Sequence, residues 1–182
     1  LSPVAYLRML FGSACLNSAP KSFLKPKEEE IAAYDLETVR AIRSHDVTRL
    51  RQLYAEGRNL NACNQFGESL LHMACRRGDL EIVSFMIREA KVRVDISDDC
   101  SRNPFHDACW TSTPNFEVMD VLIEVADPVM LISEDVRGST PFDYARREHY
   151  KKWVKYLEER KDILEIKINA ACATKSNLGV TT

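Results

Sequence analysis

The sequence predicts an all-α solenoid of about four helix-turn-helix units, with an extension at each end. Three observations carry that prediction. Asn64 to Ile87, NQFGESLLHMACRRGDLEIVSFMI, reads as a turn, a capped helix, a second turn and a second helix. The pattern returns: Ser69 to Cys75 is matched by Asn103 to Cys109 at an offset of 34, and by Thr140 to Ala145 a further 37 on. Upstream, Ala41 to Asp46 lines up with Ala74 to Asp79 at an offset of 33. Each second helix carries an apolar stripe, such as Leu80, Ile82, Val83, Met86 and Ile87, that it cannot bury alone.

Composition bounds the class. At 182 residues, 45% hydrophobic and 29% charged, the chain can build one sizeable core and is not disordered throughout. A net charge of -2 argues against a general electrostatic affinity for nucleic acid or anionic membrane. No apolar run reaches the length of about 18 residues that a membrane-spanning helix requires. The chain begins with Leu1, which predicts a fragment or a processed form. Leu1 to Ala14 lacks the charged flank of a signal peptide.

In chain order, residues 1–30 read as an N-terminal arm. Val4, Leu7, Leu10, Phe11 and Ala14 give a short helix with one apolar side, and Asn17 to Glu30 is a linker ending in three glutamates that suit a helix start. Residues 31–161 hold the repeats. Tyr34, Leu36, Val39 and Ile42, then Val47, Leu50, Leu53 and Tyr54, give two amphipathic helices joined at Ser44-His45-Asp46, with Gly57 suited to a left-handed cap. In the second unit Gly67 suits a tight turn, Ser69 caps a helix and Gly78 ends it. The third unit puts Ser101 where the turn glycine stood and Asn103 at the cap, and it stretches the inter-helix turn to Thr111–Asn115, a loop expected to protrude. The fourth restores Gly138, Thr140 and Pro141 and closes on a helix from Tyr144 to Lys161. Residues 162–182 read as a C-terminal tail, helical at most to Ile168 and disordered in isolation beyond it.

A period in the low thirties with T-P-F-D-Y-A, N-P-F-H-D-A and S-L-L-H-M-A resembles the ankyrin repeat and its T-P-L-H-x-A signature, over roughly residues 33 to 161. The pairing of A-C-R-R-G with H-D-A-C-W further resembles uncharacterised ankyrin-repeat proteins of diatoms and related algae. The family resemblance implies that His72 and His106 bond backbone groups between repeats. Six cysteines could suggest a disulfide framework, but the resemblance implies that Cys75 and Cys109 occupy inner-helix sites where Ala is usual, so these two read as small buried residues and cysteine usage favours a reducing compartment. The compartment expected is therefore cytoplasmic or another reducing one. The alternative is an organelle reached after removal of a targeting segment, such as an algal plastid.

His72 with Cys75 and His106 with Cys109 could supply soft ligands to zinc, but they lie a repeat apart, about 10 Å between stacked helices, so no metal is expected. Within the repeats, Cys100 in its turn is the one nucleophile expected to be exposed, with nothing nearby in sequence to activate it. Asp98, Asp99 and Asp107 read as turn and surface carboxylates. With no Walker loop, dinucleotide glycine pattern or serine elbow, no enzyme and no cofactor are expected.

The positive signal is a surface. The resemblance implies a concave face built from turn fingers and first helices. Carried over position by position, it holds Arg43; then Gln65, Phe66, Glu68, Arg76 and Arg77; then Asp99, Cys100, Arg102, Trp110 and Thr111; then Val136, Arg137, Ser139, Arg147 and Glu148. Phe66 and Trp110 read as anchors and the arginines as partners for carboxylates or phosphates. Alternatively Trp110 leans into the 111–115 loop and fills a gap. The first functional expectation is a non-catalytic protein-binding module or scaffold, a subunit of a larger complex. In it the Leu1–Ala14 helix sits in a neighbour's groove and the tail lies along another surface, so any membrane contact is indirect. The second is a binder of nucleic acid or anionic lipid through Arg146, Arg147, Lys151, Lys152 and Lys155 beside Tyr150 and Trp153. Acids outnumber bases over residues 35–161, which makes nucleic acid the weaker option.

Overall fold

The computed structural model describes the backbone of residues 1–16 and 26–178 and the side chains of 1–12 and 26–173. The linker expected before residue 26 and the end of the tail beyond 178 lie outside the described residues. Among the described residues there is no β-strand; an isolated bridge joins Cys63 and Ser69.

Unit 1 pairs α3 (Leu36–Arg43) with α4 (Val47–Ala55), unit 2 pairs α5 (Leu70–Arg77) with α6 (Leu80–Ser84), and unit 3 pairs α7 (Pro104–Cys109) with α8 (Phe116–Val125). Each helix starts where a short polar side chain takes up orphan backbone N–H groups. Asp35, Asp46, Ser69, Asp79, Asn103 and Asn115 all do so. The first helices stack on one another in order, α3 on α5 on α7, and the second helices likewise, α4 on α6 on α8. Close stacking of the first row is possible because Ala41, Ala74 and Ala108 sit at its centre, all fully buried. The second row supplies bulk through Leu50, Leu53, Ile82, Met86 and Leu122.

The fourth unit departs from the expected full helix pair. Its first helix is reduced to a single 3-10 turn, Pro141–Asp143, and its second, α9, runs from Tyr150 to Glu159. Asp143 folds back to accept from the Thr140 N–H and hydroxyl, both at 2.8 Å, and the Tyr144 hydroxyl is drawn to Asp135 at 2.5 Å. Trp153, Tyr156, Phe116 and Phe142 then close the core in an edge-to-face and stacked cluster.

Both extensions differ from expectation in a further way: they pack on their own chain. Helix α1 (Pro3–Leu16), interrupted at Gly12, lies against α9, the following helix α10 (Lys161–Leu178) and the Pro141 turn, and buries Val4, Tyr6, Leu7 and Phe11. Its apolar stripe is thus satisfied by the exposed end of the solenoid, and the expected seat in a neighbour's groove is not needed. The tail is likewise corrected. Beyond Arg160 a new helix, α10 (Lys161–Leu178), buries Leu164 and Ile168 against α1 and the turn at Pro128–Leu131. Lys167 Nζ donates to the Glu124 carbonyl at the end of α8, 3.0 Å away. Isolated, this small and polar segment lacks a driving force; the 3-to-4 spaced Leu164 and Ile168 supply it once a surface is present. Helix α2 (Glu28–Ala32) docks at the other end of the repeats, where the Cys63 N–H donates to the Glu30 carbonyl at 3.1 Å.

Candidate partner-binding face

Each finger is a turn closed on one side-chain oxygen. Asn64 Oδ1 accepts from the N–H of Phe66 and Glu68, Asp98 Oδ1 from Cys100 and Arg102, and Asp135 Oδ1 from Arg137 and Ser139, all between 2.8 and 3.1 Å. The turn requires a left-handed residue at its fourth position, which is Gly67 (φ 76°), Ser101 (φ 61°) and Gly138 (φ 78°) in turn. Neighbouring fingers are tied through Asp99 N–H to Phe66 C=O at 2.8 Å and Val136 N–H to Cys100 C=O at 3.0 Å.

The histidines fasten fingers to helices. His72 Nδ1 accepts from the Ser69 N–H, which leaves the proton on Nε2 to donate to the Arg102 carbonyl at 2.9 Å. His106 repeats this with Asn103 and Ser139. Burial holds His106 neutral by pushing its pKa down to about 4. These are structural histidines, and Cys75 and Cys109 are buried thiols whose pKa values burial pushes up. Cys172, by contrast, is disulfide-bonded. Asp98, Asp99 and Cys100 bring three ligand-type atoms together, but Asp98 is already bound to Arg102 and two backbone N–H groups, so the trio holds no free chelate.

The residues assigned to the concave face separate into two sets. Arg76 and Arg102 are committed within the chain. Arg102 pairs with buried Asp98 at 2.6 Å, and Arg76 bridges Glu68 and Asp107, the latter at 2.6 Å. Asp107 is buried, its other oxygen has no partner among the described residues, and burial pushes its carboxyl pKa up. Loss of Arg76 would therefore strand a buried charge. Arg77 donates to the Arg43 carbonyl at 2.6 Å and stays exposed, as do Arg43, Arg137 and Arg147, which have no ion pair among the described residues. Gln65 and Phe66 are exposed at the second finger, Glu68 is half-buried beneath it, Asp99 is exposed at the third, and Thr111 is half-buried with its hydroxyl on the Thr113 carbonyl.

Trp110 stands between the sets, 51% exposed. The Arg76 guanidinium lies over its ring at 5.5 Å and the edge of Tyr144 meets it at 5.8 Å. The 111–115 loop beside it is held by the Asn115 cap and by His149 against the Ser112 carbonyl at 3.0 Å. Tyr144 is the member of this site that sequence reasoning missed. The signal was its position 37 residues after Asp107, the same interval that separates His106 from Asp143.

The alternative basic surface on α9 is only half present. Arg146, Arg147, Lys151, Lys152 and Lys155 are exposed, but Trp153 is 1% exposed and locked against Phe116, Phe142 and Tyr156. No base can stack on it.

Residues 39–131 match a family described as ankyrin repeats, in three copies. Over 85 residues, 46% of this chain, the sequence is 29% identical to a protein of Caenorhabditis elegans named putative glutaminase 2. That stretch is 14% of the nematode protein and falls in the repeat region, so the name describes a protein of which this chain shares only a small part.

Proposed function

Because the chain belongs to the ankyrin-repeat family, we propose that it is a non-catalytic protein-interaction module that captures a segment of another protein on the face formed by its fingers and first helices. The observation that carries this reading is Trp110: a large aromatic left half exposed at the centre of that face, oriented by Arg76 and Tyr144 without being buried by them. Aromatic side chains held this way lose little entropy on binding and dominate interface energetics. Phe66 and Val136, exposed on the second and fourth fingers, extend the apolar contact to either side.

The test is comparative capture. The immobilised chain, a Trp110→Ala variant and an outer-face Lys152→Glu variant are exposed to the same extract. A bound protein retained by Lys152→Glu and lost by Trp110→Ala, with a weakening of about 2 kcal/mol or more and a nearly unchanged melting temperature, supports the reading. Capture insensitive to Trp110 but abolished at Lys152 would transfer the function to α9.

A further inference from the structure

Cys172 is disulfide-bonded in a chain whose repeat cysteines, Cys63, Cys75, Cys100 and Cys109, are all free thiols. We propose that this bond is a redox latch that joins α10 to α1 through Cys15, and that its reduction by a dithiol releases the ends of both helices from the repeat stack. Cysteine arithmetic names the partner. The sequence has six cysteines, and once Cys172 and the four free thiols are set aside the sixth is Cys15, in the last turn of α1. Helix α1 is among the elements on which α10 packs.

The bond falls where each helix is least held. Leu164 and Ile168 are buried and seat the first half of α10, helped by the Lys167 ammonium on the Glu124 carbonyl. Cys172 continues the same face at steps of four residues, half-buried against the core. Around it Asn169, Ala170, Ala171 and Ala173 are small or polar and mostly exposed, so they bury little apolar surface to offset the entropy of ordering the last turns. In α1 the buried Val4, Tyr6, Leu7 and Phe11 all precede Gly12, whose φ of 64° and ψ of 168° break the helix ahead of Cys15. A covalent bond between two weakly held segments orders both together, and opening it frees both.

The other sulfurs are shielded from this chemistry. Cys63, Cys75 and Cys109 are buried, and burial pushes each thiol pKa up, so they carry little of the thiolate that would attack and reshuffle a disulfide. Cys172 is not fully enclosed, which leaves its bond open to a reductant. One thiolate of the dithiol attacks a sulfur of the bond and forms a mixed disulfide; its second thiol then closes the reductant into a cyclic disulfide. Two electrons and two protons pass to the chain, which ends with two cysteine thiols.

The experiment combines non-reducing peptide mapping with amide hydrogen exchange, before and after dithiothreitol, on the full chain, Cys172→Ser and Cys100→Ser. The proposal expects one cross-linked peptide pair, Cys15 with Cys172, within a single chain. Reduction should speed exchange at residues 13–16 and 169–178 about tenfold or more while α5 and α7 keep their protection. Cys172→Ser should show that faster exchange without reductant, and Cys100→Ser should behave like the parent chain. Cys172 joined to a second copy, or carried as a free thiol in chain prepared without reductant, would overturn the assignment. Exchange that dithiothreitol leaves unchanged would overturn the latch even with the bond mapped. Protection lost equally in α5 and α7 would overturn it too, by making the bond a staple of the whole fold.

Discussion

Glu30 and Arg93, 63 residues apart, meet with one guanidinium nitrogen 2.6 and 2.8 Å from the two carboxylate oxygens, and Glu30 is 5% exposed. The same carboxylate accepts the Lys27 N–H at 2.8 Å, so one side chain both starts α2 and fastens it behind the second finger. Glu30→Ala should cost about 2 to 3 kcal/mol, less than a fully buried pair because Arg93 remains partly solvated. Urea denaturation measures the cost, and faster hydrogen exchange in α2 would locate it; equal stability would show that the pair is incidental.

At the opposite end, Leu7 is fully buried between α1 and the last helices. Leu7→Ala should destabilise the chain by about 2 to 4 kcal/mol, the range for a core leucine. Deleting residues 1–16 should lower the melting temperature and expose apolar surface to a dye such as ANS. A truncated chain that melts like the full one would mean that α1 is dispensable to the fold.

Ser101 holds φ 61° at a position that the second and fourth fingers give to Gly67 and Gly138. A side chain in this left-handed conformation costs roughly 1 kcal/mol. Ser101→Gly should therefore raise stability by about 0.5 kcal/mol, after the larger backbone entropy of the unfolded glycine is subtracted. A fall in melting temperature would show that the serine makes a compensating contact.

His106 is neutral in the folded chain, with its pKa lowered by burial from 6.5 to about 4. The unfolded chain takes up that proton first as pH falls. This contribution is therefore intact above about pH 6.5 and is lost on descent towards pH 4, at most on the order of 3 kcal/mol. His106→Asn should be less stable at neutral pH and should show a flatter decline between pH 6.5 and 4. An equally steep decline in the variant would place the sensitivity elsewhere.

The repeats were legible because their determinants are local. Ser69, Asn103 and Thr140 cap helices a fixed distance after each finger, and Leu80, Ile82 and Met86 repeat at helical spacing. Long-range pairing was not legible. Nothing near Val4 and Leu7 indicates that their surface lies more than a hundred residues away on α9 and α10, and nothing in the polar run after Ile168 shows that α10 gains order from Leu164 and Ile168. For the proposed face, what the sequence hid was which of its arginines are already committed within the chain. Arg76 and Arg102 look like Arg77 and Arg147 in sequence, and only the fold shows that the first two are already paired.

The central claim, that Trp110 is the contact point for a partner, is tested most directly by following the two tryptophan indole N–H resonances while a bound peptide or partner is titrated. Trp153 is buried in the aromatic core and Trp110 is half exposed, so each reports a different region. The account predicts that the Trp110 signal, assigned with Trp110→Phe, shifts saturably while that of Trp153 stays in place. A partner that binds measurably while the Trp110 signal does not move would contradict it.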